Sequence, residues 1–146
     1  MKELTKEMLD NWHITIECDK SRECGYKIMH LSRNHRGKDL VWKEIKPVIN
    51  GKYHPKSKQI KQYYIVGWSD YANTKKQISF PLARVIWAWF YGYVPADRDV
   101  DHIKDSLDNS LDNLQLLTRA ENLKKRSGWI NQYGLRLKDR EVKNEN

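Results

Sequence analysis

Residues 100–126 read "VDHIKDSLDNSLDNLQLLTRAENLKKR", and the order of elements they encode decides the fold. "DVDHI" has the length and alternation of a short strand, and "NLQLL" offers a second. Between them, residues 104–112 are dense in Asp, Ser and Asn, which favour turns by hydrogen-bonding side chain to backbone. Thr118 and Glu121 then have the spacing of a capping box, which predicts a helix that starts at Thr118 and ends near Ser127 and Gly128. The predicted order is strand, long polar loop, strand, helix.

So much oxygen chemistry is odd in a basic chain. The 146 residues carry a formal net charge of +8. That excess favours a polyanionic partner, nucleic acid first and an anionic membrane surface second. Asp101 and Asn122 would offer two hard oxygen ligands to Mg²⁺ or a similar divalent ion, with substrate phosphate supplying others. Asparagine is a weak helix former, so Asn122 is either a surface accident or an amide wanted at the helix start. His102 adjoins Asp101, and an imidazole, titrating near neutrality, suits removal of a proton from water. Neighbours on a regular strand face opposite sides, so both reach one site only if the strand ends or twists there; the turn-rich residues after Ile103 permit that.

Working upstream, residues 63–68 form a β-rich run, 69–73 read as a turn, and 77–80 can return as a second strand. "FPLARVIWAWFYG" follows, with Pro81 suited to a first helical turn and Gly92 to a stop. Leu82, Val85, Ile86 and Trp89 share one face, so a core helix is predicted, its tryptophans used for packing. The chain divides into an N-terminal region of unknown role (1–60), an organised domain (61–127) and a polar C-terminal extension (128–146). No stretch approaches the ~20 apolar residues of a membrane span. The N-terminus lacks the apolar block of a signal peptide, and Cys18 and Cys24 make no disulfide framework. A soluble cytoplasmic protein is the expectation.

"VDHI", "DNSLDNL" and "LLTRAENLKKR" together resemble the HNH nuclease motif, and more narrowly its His-Asn-Asn variant in phage and intron-encoded homing endonucleases. "ARVIWAWFYGYVP" is similar to the segment those proteins carry directly before the motif. The resemblance covers roughly residues 63–126. It implies an α+β fold class with a ββα-metal (His-Me finger) nuclease core, here preceded by the β-hairpin and the core helix. It also implies hydrolysis of DNA phosphodiester bonds with one divalent ion, Mg²⁺ or Mn²⁺. Position by position, it implies Asp101 and Asn122 as metal ligands and His102 as general base. Asn113 becomes the middle Asn that braces the loop and the histidine, and Asn109 a structural loop residue. Arg119, Lys124, Lys125 and Arg126 lie on or beside the helix and could hold the backbone of double-stranded DNA; the plain alternative is a solvated basic face. Such a protein acts as a monomer or homodimer, in the host cytoplasm if phage-encoded.

Three rivals stand beside this reading. A non-catalytic DNA-binding protein with a decayed nuclease fold fits the charge equally well. Asp97, Asp99, Asp101, Asp105 and Asp108 fall on calcium-loop positions, but His102 stands where that loop needs Gly and Asp108 where it needs Glu. Cys18, Cys24, His30 and His35 have zinc-ligand side chains, at a spacing unlike the usual finger.

Overall fold

The computed structural model describes residues 2–33, 39–51, 53–54, 59–60, 62–70 and 75–126. The C-terminal extension expected at 128–146 lies outside the described residues, as does His35 of the zinc alternative. The architecture is mixed α/β. Strand β1 (Leu4–Thr5) runs into helix α1 (Lys6–Asn11), which Thr5 caps by accepting a 3.0 Å bond from the Met8 N–H. Strands β2 (Ile14–Cys18), β3 (Tyr26–Arg33) and β4 (Leu40–Ile45) form an antiparallel sheet in that order. β2 and β3 alternate as half-buried strands do, with Ile14, Ile16, Tyr26, Ile28 and His30 inward.

Strand β5 (Val48–Asn50) starts a second sheet, and β6 (Tyr53–His54) pairs with β7 (Gln59–Ile60) beyond it. Strand β8 (Tyr63–Ser69) is the centre of that second sheet, between β5 and β9 (Gln77–Pro81). Helix α2 (Leu82–Tyr91) follows β9 with Pro81 at its N-cap. It stops at Gly92, whose φ of +94° only glycine adopts without strain. Strand β10 (Tyr93–Val94) returns to pair with β1. Strand β11 (Arg98–His102) pairs antiparallel with β12 (Leu114–Thr118), and helix α3 (Arg119–Arg126) follows. The hairpin, core helix and strand–loop–strand–helix order predicted from sequence are all present. No helix among the described residues is long and apolar enough to cross a membrane.

The single apolar face expected of α2 understates its burial. Residues 82–88 are all buried, while Trp89 is only partly so, with the Lys6 ammonium 4.3 Å from its ring centroid. The helix is enclosed on several sides, touching α1, β1, β8, β9, β10 and β11. The core is continuous across residues 1–60 and the rest: Leu4, Leu9, Ile14 and Ile28 join Leu82, Ile86 and Leu114 in one cluster. Trp12 and Trp68 add an aromatic joint, with ring centroids 5.5 Å apart.

Arg84 lies inside this core, 2% exposed. Its guanidinium donates to the carbonyls of Arg98 (2.8 Å) and Lys2 (2.7 Å), with Pro95 at 3.5 Å. Burial lowers its pKa from the usual guanidinium value, and nearby Asp99 opposes that. The Arg84→Met variant keeps the apolar stem and strands those carbonyls. It is expected to lose roughly 3 kcal/mol or more of stability, read from the urea midpoint at unchanged slope.

Candidate active site

The polar loop between β11 and β12 is shaped by its own side chains. Asp105 Oδ1 accepts from the Leu107 N–H at 2.9 Å, and Asp108 Oδ1 from the Ser110 N–H at 3.0 Å. The backbone bond from Ser110, then its hydroxyl, hold the Asp108 carboxyl below the usual carboxylate range, and nearby His102 adds to this. Asn113 closes the loop. Its Oδ1 accepts from the Lys104 N–H at 2.9 Å, and its Nδ2 donates to the carbonyls of Asp105 (2.8 Å) and Asp108 (2.7 Å). Asn113 is 7% exposed, so one turned-in amide satisfies backbone groups that would otherwise be stranded.

The imidazole of His102 has a different partner. Its Nε2 lies 2.8 Å from Oδ1 of Asn109, which is 2% exposed. With that carbonyl oxygen as acceptor, the contact is a hydrogen bond in the forms of the ring that carry a proton on Nε2. Asn113 thus shapes the loop, and Asn109, expected to be merely structural, is the residue that touches the ring.

Helix α3 packs along β11. The capping box forms as predicted: the Glu121 N–H donates to Thr118 Oγ1 at 3.1 Å, and the Thr118 N–H to Glu121 Oε1 at 3.0 Å. Capping fixes the helix phase, so Asn122 and Lys125, one turn apart, both face the strand. Asn122 Nδ2 donates to Asp99 Oδ2 at 3.1 Å. The Lys125 ammonium bonds Asp101 Oδ2 and, at 2.7 Å, the carbonyl of His102. Gln115, directly across the hairpin from Asp101, donates to the same Oδ2 at 2.9 Å. Asp101 and Asn122 therefore share the face between β11 and α3. His102, next along the strand, serves the loop side.

The basic candidates divide. Lys125 is folded inward, 13% exposed beside an Asp101 that is 16% exposed. Lys124 is exposed; Arg119, also exposed, donates to the Ala96 carbonyl at 3.3 Å. The side chain of Arg126 lies outside the described residues. The calcium-loop alternative fails on geometry, because Asp99 and Asp101 sit in a paired strand and cannot wrap an ion. For the zinc alternative, Cys24 is buried and donates to the Tyr26 carbonyl, and Cys18 is exposed. Among the described residues no three His, Cys, Asp or Glu side chains group as a metal centre.

Sequence reading missed Gln115, and it placed Asp99 only on the calcium-loop pattern, not as the partner of Asn122. Gln115 could have been found as a lone polar residue in an apolar strand, and Asp99 as the strand neighbour two before Asp101. Nothing local marks Tyr26, whose hydroxyl donates to the Asn109 carbonyl at 2.6 Å from 83 residues away.

Residues 81–124 match the family model described as HNH endonuclease. Neither the curated proteins nor the solved structures yield a match to this chain. The matched segment runs from the start of α2 into α3 and contains Asp101, His102, Asn109, Asn113 and Asn122.

Asn113→Ala removes three loop bonds at once. It is expected to cost about 2–3 kcal/mol of stability in denaturant titration and to speed hydrogen exchange of the Lys104 amide, while the β2–β3 amides keep their protection.

Proposed function

We propose, from the match of residues 81–124 to the HNH endonuclease model, that the chain is a metal-dependent DNA endonuclease built on a ββα-metal core, of the phage or homing type. The observation that carries the reading is His102 held by Asn109 at a strand end, next to Asp101 facing α3. The donor set suits a hard divalent cation. Asp101 brings an anionic oxygen. Asn122, its amide nitrogen engaged by Asp99, keeps Oδ1 as an acceptor. The Lys125 ammonium already collects two oxygens there, a carboxylate and the His102 carbonyl, and so stands in for a cation.

In this mechanism, Nδ1 of His102 takes a proton from the water that attacks phosphorus, while Asn109 fixes the tautomer that leaves Nδ1 basic. Asn113 keeps the loop closed so that the imidazole stays in place. Asp101 and Asn122 would hold Mg²⁺ or Mn²⁺, which would supply charge stabilisation to the phosphate as its ester bond breaks. Arg119, Lys124 and Arg126 hold the backbone of double-stranded DNA without reading bases, and the net charge of +8 draws the duplex in. One such site cuts one strand.

The ion pair between Lys125 and Asp101 also favours a second reading, a DNA-binding protein in which Lys125 permanently replaces the ion. Supercoiled plasmid separates the two. The wild-type chain is expected to nick it with Mg²⁺ or Mn²⁺ and not with a chelator, and His102→Ala to slow cleavage by about 10²–10⁴-fold with DNA binding retained. No nicking by wild-type protein would favour the second reading.

Lys125→Met leaves Asp101 with one fewer cation partner. Calorimetric titration without DNA is expected to show Mn²⁺ binding about tenfold tighter than wild type, and lost in Asp101→Ala. Equal affinity in wild type and Lys125→Met would mean that the ammonium and the ion occupy different places.

A further inference from the structure

The family match begins at residue 81, yet the ring of His102 is tied to the N-terminal sheet. Asn109 holds Nε2 through Oδ1, but its other amide atom, Nδ2, is buried with no partner among the described residues. The side chain therefore has one bond to the ring and no second bond to steady it. What holds the residue is its backbone, and the Asn109 carbonyl accepts from the Tyr26 hydroxyl at 2.6 Å. Tyr26 is 5% exposed, the first residue of β3, and its ring centroid lies 6.2 Å from that of Phe90 on α2. Burial raises its pKa well above the ordinary tyrosine value, so it stays a donor across the working range.

A built turn delivers Tyr26 to this place. The Asp19 N–H donates to the Gly25 carbonyl at 2.9 Å and the Gly25 N–H to the Arg22 carbonyl at 2.9 Å. Asp19 Oδ1 accepts from both the N–H and the hydroxyl of Ser21. Gly25 adopts φ +87°, a conformation that side chains resist, directly before Tyr26. The same turn and residues 105 and 107–110 line one crevice, with Tyr64 beside Tyr26.

We propose that Tyr26 is a positioning residue for the His102 imidazole, acting through the backbone of Asn109, and that the N-terminal sheet is in this way part of the nuclease site. The proposal rests on the endonuclease reading for its effect on rate, but not for its effect on the ring.

The test uses the full chain with two readings. Single-turnover nicking of supercoiled DNA with Mg²⁺ gives the rate, and long-range proton–nitrogen correlation spectra of metal-free protein give the tautomer of His102. Tyr26→Phe removes one hydroxyl. It is expected to slow the single-turnover step about tenfold, leave the DNA concentration for half-maximal rate unchanged, and move the ring nitrogens of His102 away from the pure Nε2–H form. Asn109→Ala should slow the step at least as much. The double variant should be no slower than Asn109→Ala alone, because the two act in series. Tyr64→Phe, an equal truncation in the same crevice, should match wild type. A Tyr26→Phe rate equal to wild type, or losses that multiply in the double variant, overturns the proposal. Should Tyr26→Phe fail to fold, Gly25→Ala strains the turn without meeting a neighbouring atom. It should show a smaller loss in the same direction, and unchanged rate and ring signals there count against the proposal. If the wild-type chain does not nick DNA, the endonuclease reading fails by itself. The ring spectra then decide: shifted nitrogens in Tyr26→Phe support the positioning role, and unshifted ones overturn it.

Discussion

Three carbonyls from two distant parts of the chain converge on the guanidinium of Arg84, and where they meet sets where β11 begins. Arg84 is charged and nearly sealed from water, so its terminal nitrogens depend on the carbonyls that the core brings to them, while its Nε has no partner among the described residues. Lys2 leads into β1, Pro95 follows β10, and Arg98 opens β11. Holding Arg98 fixes the phase of the strand, and with it the side to which Asp99 and Asp101 turn. α3 can then match them with Asn122 and Lys125, since one helical turn and two strand residues advance by comparable distances, about 5–7 Å.

The loop obeys the complementary rule that buried backbone must be hydrogen-bonded. A long connection between two short strands would strand several N–H and C=O groups. Asp105 and Asp108 satisfy neighbouring amides from inside the loop, and Asn113 takes two carbonyls and one N–H. That closure frees Asn109 to face His102, leaving its carbonyl for Tyr26. The site is thus assembled from three sources: strand register, helix phase and a loop pinned from both sides.

The elements near the site were legible because their signals are local. Thr118 and Glu121 cap a helix through bonds that span three residues, so the spacing alone announces them. Pro81 and Gly92 bracket α2 for reasons of backbone freedom that no neighbour alters. Asn122 stood out as a weak helix former at a helix start, whereas His102 beside Asp101 gained its meaning from the resemblance to the HNH motif. The near-total burial of α2 was not legible, since a 3.6-residue pattern reports one face and says nothing of how many elements surround the helix. Nor was the continuity of residues 1–60 with the rest, because strand pairing between β5 and β8 depends on partners and leaves no mark in either strand by itself.

The sequence by itself determined the strand–loop–strand–helix order, the residue types that can hold a cation or take a proton, and the charge that attracts a polyanion. Those follow from short-range bonding and from side-chain chemistry. Tertiary structure decided which amide meets the imidazole, that Lys125 turns inward to Asp101 while Lys124 faces out, and that Tyr26 reaches the loop from the far end of the chain. These choices depend on hydrogen bonds between residues far apart in sequence, whose geometry exists only once the core around Arg84 has closed.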